Sequence, residues 1–197
     1  MTRPEPTESP DADRALVEAV LARAPRSFEE LIFRYQGLCW HIVLRMVRNP
    51  EDARDICQET FLRVFKYLHQ YRFDSPLKSW IAQVAYSVAK RHLERKRIPI
   101  ADEPNDPEAG SLLDSVSDGF DLEAANADDQ IHRLLHAAID ALPALQRSLL
   151  TMYHLDELSI SEIATITGIP EGSVKNHLFR SRKLLRQWLE LRTGVIT

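Results

Sequence analysis

The sequence predicts an all-α protein made of two small helical domains joined by a flexible acidic linker, the second carrying a helix-turn-helix. Three observations predict it. Apolar residues recur mostly at three- and four-residue spacing, and only 6 glycines in 197 residues interrupt them. Between residues 101 and 129 there is no lysine or arginine but ten carboxylates, among prolines and glycines, which is linker composition. Residues 159–180 read as a short helix, a glycine and a second, polar-faced helix.

A chain of 197 residues can build one large or two small cores. Hydrophobic residues at 44% and charged residues at 27% give the balance of a water-soluble globular protein. The best candidate for a membrane span, 38–47, is interrupted by His41 and Arg45, so no membrane segment is expected. Residues 1–10, with three prolines and two glutamates, have no secretory-signal pattern and read as a flexible tail. Cys39 and Cys57 sit inside apolar helical patterns, as small buried hydrophobes of a reducing cytoplasm rather than a disulfide. The net charge of -4 would argue against nucleic acid, but the average misleads. Charge is sorted into blocks, with 90–97 and 175–192 strongly basic on either side of the acidic stretch.

The divisions run 1–24 (tail and leading helix), 25–97 (first helical module), 98–129 (acidic linker) and 130–193 (second module). The leading helix, 12–22, has Ala15, Leu16, Ala19 and Val20 on one face. Phe28, Leu31, Ile32 and Tyr35 begin the next, which resumes through Ile42, Val43 and Met46 after a break near Gly37 and ends at Asn49-Pro50. A helix over 51–69 buries Ala53, Ile56, Cys57, Thr60, Val64 and Leu68. Its other side shows Asp55, Gln58, Glu59, Leu62, Arg63 and Lys66. A leucine among carboxylates is either a partner surface or a solvated face with one stray apolar residue.

Residues 71–80 are a loop dense in aromatics that opens a helix burying Ile81, Val84, Ala85 and Val88. Trp80, Gln83, Tyr86, Ser87, Lys90 and Arg91 share its remaining faces. Aromatics interleaved with cations suit single-stranded nucleic acid, which needs stacking partners and counter-charge. The same pattern also fits a core tryptophan followed by a basic helix end that complements the helix dipole.

The second module opens with Ile131, Leu134, Leu135, Ala138, Ile139 and Leu142 on one stripe, capped by Asp128 or Asp129. Pro143 starts a helix with Leu145, Leu149 and Met152 inside. Ser159 and Glu162 have capping-box spacing, Gly168 suits a left-handed helix end, and Pro170 precedes the next helix. In that helix Val174 and Leu178 point inward, leaving Ser173, Lys175, Asn176 and Arg180 for the outer side. This is how a helix-turn-helix offers donors to a major groove. Leu184, Leu185, Trp188 and Leu189 extend the apolar seam.

Three passages carry a family resemblance: 52–62 (Asp-Ala-Arg-Asp-Ile-Cys-Gln-Glu-Thr-Phe-Leu), 77–81 (Leu-Lys-Ser-Trp-Ile) and 163–175. In this order they resemble an extracytoplasmic-function (ECF) sigma factor of bacterial RNA polymerase. The resemblance implies that 25–97 is region two and 130–193 is region four. It implies docking on the clamp helices of the polymerase largest subunit through Asp52, Asp55, Gln58, Glu59 and Leu62. It implies capture of the melted minus-ten strand by Phe73, Asp74, Ser75, Leu77, Lys78, Trp80, Gln83, Tyr86, Ser87, Lys90 and Arg91. The minus-thirty-five duplex would be read by the helix from Glu171 to Arg180, through Glu171, Gly172, Ser173, Lys175, Asn176, His177 and Arg180. Promoter DNA, core polymerase and a regulatory partner, an anti-sigma protein or a kinase, are the implied partners, with no cofactor. Arg54 stands where the family has an acidic residue, and a phosphate on a nearby hydroxyl such as Thr60 would restore that charge. Ser87 and Arg91 replace a common asparagine and aspartate, and Asn176-His177 a frequent Ser-Arg pair.

Two other readings compete. A stand-alone helix-turn-helix regulator would need an N-terminal sensing domain with a sizeable apolar pocket. A metal-dependent enzyme would use His132 and His136, four apart on a helix near Asp128, Asp129 and Asp140, although such histidines are commonly only exposed.

Overall fold

The structure, a computed structural model, describes residues 10–96 and 127–193. The segment 97–126, which holds most of the expected acidic linker, and the tail 1–9 lie outside the described residues. So do the side chains of Asp128, Asp129, Ile131 and His132. Every regular element among the described residues is helical: α1 (Pro10–Leu21), α2 (Ser27–Val47), α3 (Pro50–Tyr67) with a 3-10 turn (Leu68–Gln70), α4 (Leu77–Arg95), α5 (Ala127–Ala141), α6 (Ala144–His154), α7 (Ile160–Thr167) and α8 (Glu171–Thr193).

Helix α1 turns Leu16, Val17 and Val20 inward, so Val17 takes the place expected for Ala15, which is exposed. Asp13 on the same face is buried and accepts a hydrogen bond from Tyr35 Oη at 2.7 Å. Helix α2 is unbroken, correcting the expected interruption at Gly37. One interior glycine costs a helix only about 1 kcal/mol relative to alanine, and burial of Leu31, Tyr35, Leu38, Cys39, Ile42, Val43 and Met46 along the inner face outweighs it. The helix stops at Arg48, whose left-handed φ of 63° returns its N–H to the Leu44 carbonyl. Asn49 then caps α3, its side chain accepting from the Glu51 and Asp52 amides at 2.8 and 3.1 Å. Of the expected α3 core, Cys57 is only half-buried, and Phe61 is buried instead.

The two modules are packed together, and α2 is the shared element: it contacts α1, α3 and α4 on one side and α6 on the other. A continuous apolar core runs from Leu16 of α1 through α2–α4 to Leu149 of α6, Ile163 of α7 and Val174 of α8. Helix α6 is buried all round, including Gln146, Arg147 and Ser148, because α2 covers the side turned away from its own module. A smaller cluster of Leu134, Ala138 and Trp188 fastens α5 to α8.

A Cβ at Gly37 would meet no atom within 4 Å, and the residue is exposed in mid-helix. Gly37→Ala is therefore expected to stabilise the protein by about 0.5–1 kcal/mol. Urea denaturation of the two proteins checks it, and an unchanged or lower midpoint would refute the reading.

Candidate nucleic-acid interface

The helix-turn-helix is built as its residue types demand. The Ser159 hydroxyl accepts from the Glu162 amide at 3.2 Å, and Glu162 Oε2 accepts from the Ser159 amide at 2.9 Å, closing the capping box. Gly168 ends α7 at φ 73° with its N–H on the Ala164 carbonyl. Val174 and Leu178 anchor α8 in the core. That leaves Glu171, Gly172, Lys175, Asn176 and Arg180 exposed, with Ser173 and His177 half-buried beside them. Phe179, 68% exposed, stands on the same outer surface and was not singled out in the sequence. Arg182, Lys183 and Arg186 carry positive charge further along, and α8 continues without a break to Thr193.

The second surface lies on α4 and the loop before it. Tyr71, Phe73 and Trp80 form an aromatic cluster, with Tyr71 centred 4.7 Å from Phe73 and 5.5 Å from Trp80. Tyr71 Oη donates to the Ser75 carbonyl at 2.5 Å, which holds the loop closed. Phe73 has a φ of 61°, a strained value for an aromatic residue, and the Arg14 guanidinium of α1 lies over its ring at 4.3 Å. Asp74, Ser87, Lys90 and Arg91 are exposed, and Ser75, Lys78 and Trp80 half-buried. Leu77 and Tyr86 are corrections: at 0% and 4% exposure they are core side chains here, with no surface left for a strand. Leu77 lies in the first turn of α4, and both side chains belong to the continuous apolar core. Burial raises the Tyr86 phenol to about 12.

On α3, Asp55 and Gln58 are exposed, and Leu62 is 65% exposed between them and Phe65. Glu59 pairs with Arg63 at 2.6 Å. Asp52 turns toward the end of α4, where the hydrogen bond from Lys96 at 2.8 Å holds its carboxyl below the usual range. Arg54 is exposed. Thr60 is fully buried and donates to the Ile56 carbonyl at 2.7 Å, so it is not open to a kinase, and the expected phosphate there is set aside. Sequence reasoning missed exposed Phe33 and Phe65. Phe33 lies off the inward stripe of its helix, which was the available signal.

The modules meet through polar contacts between residues far apart in the chain. Arg147 Nε donates to the Arg45 carbonyl at 2.7 Å and Nη2 to the Met46 carbonyl at 3.2 Å, while Nη1 reaches the Asp140 and Leu142 carbonyls. His41 Nδ1 lies 3.2 Å from Asp156 Oδ1. Arg45 pairs with Asp140 at 3.1 Å and touches His136 at 3.5 Å. A cation thus sits between two of the residues considered as metal ligands. Ser79 Oγ donates to Glu162 Oε1 at 2.6 Å and Gln83 Nε2 to the Thr165 carbonyl at 3.4 Å. Beside them a cleft of about 470 Å³ opens between α4 and α7. It is lined by both polar and apolar side chains and belongs to neither module alone, unlike the pocket a sensing domain would need.

Residues 31–98 match the family model described as Sigma-70 region 2, and residues 132–185 that of Sigma-70, region 4. The RNA polymerase sigma-H factor of Pseudomonas aeruginosa is 31% identical over 183 residues, 91% of this chain and 95% of that protein. The ECF RNA polymerase sigma-E factor of Escherichia coli K12 is 31% identical over 179 residues, 88% and 92% of the two chains. The chain belongs to the ECF sigma factors of the sigma-70 family. Two solved structures share the fold. CnrH in complex with the cytosolic domain of CnrY has a TM-score of 0.59 at 18% identity, over 92% of this chain and 99% of that one. The sigma factor RpoE with the anti-sigma factor NepR from Bartonella quintana has a TM-score of 0.60 at 17% identity, over 85% and 99%. The protein is thus an RNA polymerase sigma factor, and a stand-alone regulator is not favoured. No helix among the described residues is long and apolar enough to cross a membrane.

In this sigma factor, Glu162 serves both its own helix cap and the contact with α4. Burial pushes its carboxyl up, but hydrogen bonds from Ser79 and from the Ser159 amide and hydroxyl, with Lys78 nearby, outweigh that and hold it low. A lowered folded value means the unfolded chain binds the proton more tightly. The stabilisation is complete above the ordinary carboxylate pKa and is lost as pH falls through the lowered one. Glu162→Ala is expected to be less stable than wild type at neutral pH, with the deficit shrinking in acid. Denaturant titrations across pH measure it, and a pH-independent deficit would reject the assignment.

Proposed function

We propose that this sigma factor acts in the cytoplasm purely by binding, with its contacts divided among three helices. The exposed α3 face of Asp55, Gln58 and Leu62, with Glu59 and Asp52 at its edges, docks on the clamp helices of core polymerase. The aromatic loop and the outer side of α4 receive the unpaired minus-ten strand: Phe73, Asp74, Ser75 and Trp80 at the loop, then Lys78, Gln83, Ser87, Lys90 and Arg91 along the backbone. The first turns of α8 read the minus-thirty-five duplex, with Lys175 and Arg180 on phosphates or base edges and Asn176 suited to an adenine edge.

The observation that carries this reading is the separation of two cationic surfaces of different character. One is an aromatic-lined helix flank. The other is a helix end, anchored by Val174 and Leu178, that projects donors outward. Stacking and phosphate contacts on the first offset part of the energy needed to open the duplex, while the second keeps the protein in register. The relatives solved with the cytosolic domain of CnrY and with the anti-sigma factor NepR support an anti-sigma protein as the regulatory partner here too.

Mixing the protein with core polymerase and a promoter library tests the whole reading: selective open-complex formation is expected, and its absence would refute it. Lys175→Ala is expected to weaken duplex binding and to reduce the salt slope of log K by about 1. Anisotropy titrations over a salt series measure both, and an unchanged slope would remove Lys175 from the phosphate contacts. Arg54→Glu is expected to tighten binding to core polymerase several-fold. Equal affinity in a pull-down titration would mean that Arg54 lies outside the docking face.

A further inference from the structure

The two cysteines of the chain meet across the seam between α2 and α3. The turn at Arg48 and Asn49 folds α3 back along α2, and Phe28 against Phe65, ring centres 4.9 Å apart, marks the far end of the seam. Cys39 stands further along it, with no surface exposed, in hydrogen-bonding reach of Cys57 and Thr60. Those two lie three residues apart on α3 and therefore on one face of it, which seats the Cys39 sulfur between them. Cys57 is only half-buried: it packs on the edge of the core and keeps part of its surface in solvent. A pair so placed is asymmetric. The hydrogen bond from Cys39 lowers the pKa of the Cys57 thiol against the opposing effect of burial, while the same contact, together with burial, pushes the Cys39 thiol up. Cys57 is thus the thiol that ionises first and the one a small solute can reach. Cys39 is neither.

We propose that Cys39 and Cys57 are an oxidative modification site, at which a hydroperoxide produces a reversible intramolecular disulfide that ties α2 to α3. The Cys57 thiolate attacks one peroxide oxygen, the O–O bond breaks, and the leaving alkoxide or hydroxide takes a proton from water. Cys57 becomes a sulfenic acid. The Cys39 sulfur, already in contact, then attacks the Cys57 sulfur, and its proton leaves with the hydroxyl as water. Two electrons pass from the sulfurs to the peroxide, and a dithiol reductant returns them. In a reducing cytoplasm the free thiols are the resting form, and disulfides there are characteristically transient. The bond acts on the face assigned to core polymerase, because Gln58 and Glu59 of that face directly follow Cys57. Drawing the sulfurs from hydrogen-bonding to covalent distance pulls this stretch of α3 toward α2. The effect on docking rests on that reading of α3, whereas the thiol chemistry stands apart from it.

The test treats the full chain with hydrogen peroxide, then denatures it, alkylates it and weighs it by mass spectrometry. With 2 cysteines in the chain, an intramolecular disulfide has one possible pairing. The expected product is a monomer two hydrogens lighter, with both thiols lost together and both recovered by dithiothreitol. Cys39→Ala, checked for folding by circular dichroism, is expected to hold Cys57 as a sulfenic acid that dimedone traps. Cys57→Ala is expected to leave Cys39 unreactive in the folded protein. Thiols that survive peroxide would overturn the proposal, as would oxygen adducts without a disulfide, or covalent dimers. Ready oxidation of Cys39 in folded Cys57→Ala would overturn the roles given to the two sulfurs. Affinity for core polymerase is then measured for both forms of the wild-type chain. The oxidised form is expected to bind several-fold more weakly, with dithiothreitol restoring the affinity. Equal affinity of the two forms would overturn the effect on docking. Failure of both forms to bind would overturn the docking reading itself and leave the disulfide in place.

Discussion

The packed form depends on one buried cation. Helices α2 and α5 end near each other, and each end leaves carbonyls that no residue of its own helix can satisfy. The Arg147 fork answers both ends at once, with bonds to Arg45 and Met46 on one side and to Asp140 and Leu142 on the other. Burial brings its pKa down to about 10, still well above neutrality, so it is a full charge placed where two helix dipoles are negative. Removing it would leave carbonyls buried without donors, each costing about 1–3 kcal/mol. Since Arg147 belongs to α6, it also fixes α6 against α2 and thereby sets where the following helices lie.

From that fixed point the rest follows in order. Helix α6 is short, so its far end delivers Asp156 to His41 of α2 and starts α7 over α4. Helix α7, with its own cap served by Glu162, then leaves the same carboxylate within reach of Ser79. The turn at Gly168 sends α8 away from α4, its Val174 and Leu178 in the core and its cations outward. The orientation of the reading helix is thus a consequence of how α6 is seated.

Local chemistry was legible in the sequence, and long-range chemistry was not. The capping box, the left-handed Gly168 and the inward Val174 and Leu178 are encoded within a few residues, and all stand as expected. The aromatic loop and the exposed α3 face were visible for the same reason. Gly37 misled because a propensity summed over one turn says nothing of the buried apolar face, from Leu31 to Met46, that keeps the helix continuous. Tyr86 was placed on an outer face because the pattern of α4 was read as one inward stripe, whereas the helix is buried over a wider arc. Leu77 continues that stripe one turn before Ile81, and only the resemblance gave it to the strand pocket. Arg147 and Asp156 left no signal: each is an ordinary polar residue until partners about a hundred residues away are brought to it. The charge blocks raised the probability of nucleic acid but could not show which basic surface would be open.

The junction between the modules adds polar partners to a core that both modules share. Within each module the contacts are apolar, as with Leu149, Ile163 and Val174, or Ile42, Val64 and Ile81. Where the modules meet, apolar contact is supplemented by an arginine on four carbonyls, a histidine with a carboxylate, an Arg–Asp pair and a serine with a glutamate. Burial pushes the Asp156 carboxyl up, against the opposing pull of His41 and Lys78, so that residue is under electrostatic load in the packed form. Replacing such groups by well-packed apolar residues is often neutral or stabilising, so a junction needed only for stability would gain little from them. They add direction to an interface whose apolar part is continuous with the cores on both sides, fixing how α6 and α7 lie on α2 and α4. Helix α3 packs on α2 and α4, and its face of Asp55 and Gln58 is exposed in this arrangement.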